Sequence, residues 1–236
     1  MYQNVSNVLK FVTEIGVPLA LLVMVISFIG MIVRWKTPKR RGHVIRLVVA
    51  TVLIPCQIGL MFGFIHLIYV PEMSRHMMAE HNAARVKRFA DTTFVHVGDR
   101  APDFSLTTTT GENFSLAEAK GDVVVINFFA TTCGPCHEEL PHIEKIWAER
   151  KQHQNFHLLV IGREESDDTV TEYCEKRGFT FPTATDPDRA VYSLFAKEGI
   201  PRTIVVAPDG SIVVSQLGFY EENIAKLNTV LDEYLP

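Results

Sequence analysis

Residues 123–147 read VVVINFFATTCGPCHEELPHIEKIW, and the fold turns on how this stretch is read. Its first eight residues are a continuous β-branched and aromatic run, as a strand buried on both faces requires. From residue 135 to 152 the apolar positions Leu140, Ile143, Ile146 and Trp147 recur at helical spacing. Between strand and helix stands Cys133-Gly134-Pro135-Cys136. A helix N-terminus presents unpaired N–H groups and a partial positive charge. A thiolate is stabilised there, so Cys133 is expected to have a lowered pKa and to act as nucleophile. Cys136 lies one turn on, where it can attack a mixed disulfide and release the product. Pro135 falls in the first helical turn, where its missing N–H costs nothing. A structural zinc half-site or two unreactive core cysteines are the competing readings of the pair. Zinc takes four N or S ligands, the chain has no second Cys-x-x-Cys, and His137 and His142 both project from the helix that follows. No metal is expected.

Working outward, strand and helix signals alternate through residues 97–236, a normal single-domain length. Residues 156–162 (FHLLVIG) read as a second buried strand. Residues 167–177 read as a short helix capped by Asp167 or Asp168, and residues 188–196 as another. RTIVVA (202–207) and SIVVSQ (211–216) flank Pro208-Asp209-Gly210, a hairpin signature. A last helix is expected over 221–234, and a small hairpin over 104–106 and 113–115. Periodicity alone establishes α/β and no more.

The N-terminal part has a different character. Residues 1–96 carry 11 Lys/Arg and 4 Asp/Glu, whereas residues 97–236 carry 12 and 23. An acidic C-terminal part argues against nucleic acid as a partner, because phosphate contacts need clustered Lys or Arg. Residues 15–33 and 47–70 contain no charged residue. Each run is near the roughly 20 residues that span about 30 Å of hydrocarbon. The expectation is a transmembrane hairpin over residues 1–70, with helices at about 11–33 and 45–70, in contact with the lipid bilayer. No small-residue cleavage site follows the first run, which counts against a signal peptide. Residues 34–46 hold six Lys/Arg and no acid, as expected of a cytoplasmic loop. Both ends of the chain then lie outside the cytoplasm. Residues 71–96 read as a juxtamembrane linker or helix. Four cysteines (Cys56, Cys133, Cys136 and Cys174) give one close pair and two singles, not a disulfide-stapled scaffold.

The segment VVINFFATTCGPCHEELPHIEKIW, the lead-in VGDRAPDFSLTTTTGENFSLAEAKGD and the later GIPRTIVVAPDG together resemble the TlpA/ResA group of membrane-tethered thiol–disulfide oxidoreductases, within the redoxin and AhpC/TSA-like part of the thioredoxin superfamily. The similarity covers nearly all of residues 97–236. It implies a thioredoxin fold, a mixed central sheet flanked by helices. It implies Cys133 as attacking thiol and Cys136 as resolving thiol, their disulfide being the redox group with no other cofactor. It implies a cis-proline at Pro201 that exposes the Ile200 backbone to substrate, and a helix-bending role for Pro141. Gly134 and Pro135 complete the motif.

Two positions depart from thioredoxins proper. Thr132 stands where tryptophan is usual, removing an apolar surface beside the thiol. Asn127 stands where thioredoxins bury an Asp. The TlpA/ResA group also has Asn there and supplies a Glu from the loop after the next strand. In this chain Glu165 is the match, with Glu164 one register away, and the resemblance implies Glu165 as the catalytic carboxylate that takes the Cys136 proton. The resemblance further implies disulfide-containing protein substrates outside the cytoplasm and electrons from a membrane thiol transporter of the CcdA/DsbD kind. The expected location is a bacterial inner membrane, with the thioredoxin-like domain on the periplasmic side. Two alternatives share the fold. A peroxiredoxin would place a proline where this chain has Phe128 or Phe129. A Sco-like copper chaperone would have three residues between the cysteines rather than two.

Overall fold

The computed structural model describes residue 59 and residues 61–235. The first expected membrane helix, the basic loop, Cys56 and most of the second apolar run lie outside the described residues. The described residues fall into two compact units, divided between Ala79 and Glu80. Residues 61–64 are helical and continue through a π-helical turn, Ile65–Tyr69, into helix α1, Val70–Thr92, which begins in the first unit and ends in the second. Among the described residues no helix is long and apolar enough to cross a membrane.

The second unit holds the strands. A short antiparallel pair, β1 (Ser105–Thr107) and β2 (Asn113–Ser115), precedes the main elements. These are β3 (Val123–Phe129), α2 (Gly134–Arg150), β4 (Phe156–Arg163), α3 (Asp167–Arg177), β5 (Thr183–Asp186), α4 (Tyr192–Phe195), β6 (Arg202–Val206), β7 (Ile212–Leu217) and α5 (Glu221–Tyr234). The five-stranded sheet runs β5-β4-β3-β6-β7. β3, β4 and β5 are parallel, while β6 and β7 join antiparallel. This is the mixed sheet of the thioredoxin fold.

Central placement explains the uninterrupted apolar run of β3, since every one of its residues is buried. Side chains alternate across a strand. Val124, Ile126 and Phe128 enter one core with Leu159, Ile161, Ile204, Tyr192 and Phe195. Val123, Val125 and Phe129 enter the other, under α2 and α5, with Leu140, Ile143, Ile146, Leu227 and Leu231. Asn127 shares the parity of the second set and therefore faces α2.

Three expectations are corrected. The packed unit reaches back into the segment read as a linker: Thr92, Thr93 and Val95 are buried, because Thr93 forms a β-bridge with Ala196. The N-cap of α3 is Ser166, whose hydroxyl accepts from the Thr169 N–H at 3.3 Å, with Asp167 and Asp168 in the first turn. The helix expected over 188–196 is the single turn α4. The Asp186 carboxylate ties down the N–H groups of Val191 (3.2 Å) and Tyr192 (2.6 Å), and Arg189 takes φ 63°, which together hold 186–191 as a turn.

Leu140 is fully buried between α2 and the sheet. Leu140→Ala is expected to lower the unfolding free energy by about 2–5 kcal/mol. Lys145→Ala, on the exposed face of α2, is expected to change it by less than about 0.5 kcal/mol. Chemical denaturation of both variants against the parent checks this.

Candidate active site

The two cysteines lie where β3 hands over to α2. Cys133 is the N-cap of α2, with extended φ −87° and ψ 109°. Its Sγ accepts the Cys136 N–H at 3.3 Å, so the sulfur occupies the place of a capping oxygen. Cys133 and Cys136 are disulfide-bonded, with Cα atoms 5.2 Å apart. The pair is asymmetric. Cys136 is fully buried, whereas Cys133 is partly open and flanked by exposed Thr132, Gly134 and Pro135. An incoming sulfur can reach only the first cysteine. Gly134 opens the helix, Pro135 occupies its first turn, and Pro141 lies within it. There the ring removes the N–H that would otherwise bond to the His137 carbonyl.

Ile200-Pro201 is a cis peptide. Ile200 is half-buried and packs against both hydrophobic cores. Its own N–H and C=O form no backbone hydrogen bond among the described residues. They are available to an extended peptide.

Beneath the disulfide lies a polar knot that the sequence reading missed. Asn127 Nδ2 donates to Glu139 Oε2 at 2.7 Å and to Thr203 Oγ1 at 2.9 Å, and the Thr203 hydroxyl donates to Glu139 Oε1 at 3.1 Å. All three residues are buried. Burial drives the Glu139 pKa up to about 7, and the hydrogen bonds from Asn127 and Thr203 pull the other way. Glu139 is three residues past Cys136, on the same buried face of α2. A signal for it existed: a carboxylate at 139 interrupts the apolar stripe that Leu140 and Ile143 define.

Glu165 takes a different place. Its Oε1 accepts from the Thr131 N–H at 2.7 Å and from the Thr131 hydroxyl at 2.5 Å, pinning the turn that leads into Cys133. Its Oε2 is buried and has no partner. Glu164 takes φ 63° and points outward, its carboxylate 3.0 Å from Arg163 Nε. The two registers left open by the sequence are therefore distinct: Glu165 faces the cysteine turn and Glu164 faces solvent. His137 closes the same turn from the other side. Its Nε2 lies 2.7 Å from the Thr131 carbonyl, an acceptor, so Nε2 carries the proton, and the ring stacks on Tyr173. Cys174 is buried and free, its thiol pushed up to about 11 by burial and by the charges of Glu144 and Glu165. It is therefore a poor nucleophile at neutral pH. Among the described residues no three His, Cys, Asp or Glu side chains converge on a common point.

The Redoxin family profile matches residues 96–231. The thiol-disulfide oxidoreductase ResA of Halalkalibacterium halodurans is 31% identical over 138 residues, spanning 58% of this chain and 78% of that protein. ResA of Bacillus subtilis is 29% identical over 136 residues, 58% of this chain and 75% of its own length. Among solved structures, a putative protein disulfide isomerase from Bacteroides thetaiotaomicron superposes with a TM-score of 0.59 at 34% identity, covering 61% of this chain and 92% of that one. Geometry and kinship agree: the chain belongs to the Redoxin family and is a thiol–disulfide oxidoreductase of the ResA/TlpA type.

Proposed function

We propose that this protein reduces disulfides of partner proteins outside the cytoplasm, through a dithiol at Cys133 and Cys136. The observation that carries the reading is the capping geometry of Cys133, a partly open sulfur that accepts the Cys136 N–H at the head of α2. In the reduced protein the Cys133 thiolate attacks one sulfur of a substrate disulfide. A mixed disulfide forms, and one substrate thiolate leaves. Cys136 then gives up its proton and its thiolate attacks Cys133 Sγ, releasing the second substrate sulfur. The substrate gains two electrons and the cysteine pair loses them as it closes to a disulfide. A membrane thiol transporter of the CcdA/DsbD kind would then return the pair to the dithiol.

Glu139 is suited to take the Cys136 proton. It is buried on the same helix face, and a carboxyl with a pKa of about 7 is half-ionised at neutral pH. Glu165, hydrogen-bonded to Thr131, holds the turn in place. Ile200 and Pro201 supply the backbone edge against which a substrate strand pairs, and Thr132 leaves that entrance open and polar.

Membrane anchoring belongs to the same proposal and rests on the sequence. Two charge-free runs, 15–33 and 47–70, enclose a loop with six Lys/Arg. Such a hairpin places the oxidoreductase domain on the periplasmic face of a bacterial inner membrane.

Cys133→Ser is expected to abolish insulin reduction. Cys136→Ser keeps the attack but cannot resolve it, so it should accumulate a mixed disulfide visible on a non-reducing gel. Activity retained in Cys133→Ser removes the assignment. The raised pKa of Glu139 has a signed consequence for stability. Between the ordinary carboxyl pKa of 4.5 and about 7, the folded oxidised protein binds more protons than the unfolded chain. Its stability should therefore fall as pH rises through that window, by roughly 3 kcal/mol in all. Denaturation of the parent and of Glu139→Gln across this range tests it, the variant losing most of that slope. Finally, the full chain should sediment with membranes and resist extraction by high salt and alkali. Release by salt alone contradicts the anchoring.

A further inference from the structure

Arg202 follows the cis-proline, opens β6, and is the largest of the fully buried side chains. It sits opposite Phe128 on β3 and Leu217 on β7. Taking a guanidinium out of water costs several kcal/mol unless other groups replace its hydration, and arginine does not escape by losing its proton. Among the described residues no carboxylate pairs with it. Its donors go to three neutral oxygens: Thr93 Oγ1 at 2.8 Å, Thr92 Oγ1 at 3.3 Å and the Glu198 carbonyl at 3.0 Å. Its Nε has no partner.

In place of a counter-charge the guanidinium meets two hydroxyls at the end of a helix, against the like charge of Arg88 one turn back. Thr92 is the last residue of α1, and the final carbonyls of a helix carry a partial negative charge that stabilises a nearby cation, most strongly when it is buried. The Thr92 hydroxyl donates its proton to the Arg88 carbonyl at 2.6 Å, which leaves its lone pairs turned to Arg202.

The same contact reaches the substrate loop. The Lys197 N–H donates to the Thr92 carbonyl at 2.8 Å and the Phe94 N–H to the Phe195 carbonyl at 2.9 Å, so residues 92–94 run alongside 195–197. Beyond them come Glu198, Gly199, Ile200 and cis-Pro201. Arg202 holds the Glu198 carbonyl, and the Tyr192 hydroxyl donates to the Gly199 carbonyl at 2.7 Å. Gly199 takes φ +97°, and a Cβ there would lie 2.7 Å from Leu217 Cδ1, so the loop backbone is pressed against β7. The carbonyls of Lys197, Glu198 and Gly199 accept from Arg189, Arg202 and Tyr192 in turn, while the Ile200 backbone forms no backbone hydrogen bond among the described residues.

We propose that Arg202 is a positioning residue for substrate recognition: it clamps the Glu198 carbonyl to the C-terminal end of α1 and so fixes where the Ile200 backbone is presented to a substrate strand. This rests on the reading that the cis-proline loop receives the substrate peptide. Protein disulfides use that backbone edge. A small disulfide needs only the Cys133 sulfur.

The test compares insulin with hydroxyethyl disulfide as substrates of the full chain in detergent, for the parent, Arg202→Met and Arg202→Lys. The expected result for Arg202→Met is a roughly tenfold rise in insulin KM, larger than any fall in kcat, with the kcat/KM ratio of insulin to hydroxyethyl disulfide falling about tenfold. Arg202→Lys should recover part of that ratio, since it returns the cation to the helix end without the second donor. Thr93→Val removes only the 2.8 Å acceptor and should move the ratio in the same direction by a smaller factor. It reads out the clamp even if Arg202→Met does not fold. A ratio equal to the parent's in the folded variants overturns the clamp, whether both substrates are slowed together or neither is. A parent protein that reduces neither disulfide overturns the exchange reading itself.

Discussion

The site depends on one short contact, the Cys136 N–H donated to Cys133 Sγ at 3.3 Å. A helix must begin somewhere, and its first N–H groups need acceptors. Here the acceptor is sulfur rather than the oxygen of a serine or aspartate. The polarity that the helix start would otherwise spend on a cap is aimed at the reacting atom. β3 makes this possible by delivering residue 133 just beyond the C-terminal end of the central strand, which is buried along its whole length. Cys136, one turn on, is shut inside the protein, and Cys133 is left at the surface. The order of events in a dithiol exchange is thus set by burial: the open sulfur meets the substrate and the closed one finishes the reaction.

A second constraint lies below the first. Asn127, Glu139 and Thr203 form a closed hydrogen-bonded knot between β3, α2 and β6. A carboxyl buried with only neutral donors resists ionisation. The same residues that cost stability near neutral pH place a proton-accepting group on the inner face of α2, where the buried thiol lies. Around this centre the loops are fixed one by one. Glu165 and His137 hold Thr131 from two sides, and Arg202 and Tyr192 hold the carbonyls before the cis-proline. Two buried polar atoms without partners, Asn127 Oδ1 and Glu165 Oε2, also border these loops.

Most of the domain was legible in the sequence because its elements carry strong local signals. The β-branched and aromatic run of β3, the Pro-Asp-Gly turn between β6 and β7, and the Cys-x-x-Cys at the helix start are each strong signals. Residues 167–177 and 221–234 are the bounds observed for α3 and α5. What escaped was set by tertiary contact. Asp186 captures two N–H groups and shortens the helix expected over 188–196. The bridge of Thr93 to Ala196 draws the supposed linker into the fold. Glu139 differs from exposed Glu138 in the sequence only by lying on the apolar stripe of the helix, and its role is set by the knot with Asn127 and Thr203. The resemblance names Glu165 as a catalytic carboxylate, and its hydrogen bonds to Thr131 carry no motif. Nothing local marks Arg202 as a buried cation, because its hydroxyl acceptors on Thr93 and Thr92 lie 109 and 110 residues earlier in the chain.

The most direct measurement is the pH dependence of alkylation of Cys133 in the reduced protein, with Cys136 and Cys174 buried and slow. Half-maximal reactivity is expected well below pH 8.5, the midpoint of an ordinary free thiol at about that value. A midpoint at or above it would mean that the head of α2 does not hold the sulfur as a thiolate, and would contradict the account of this site at its root.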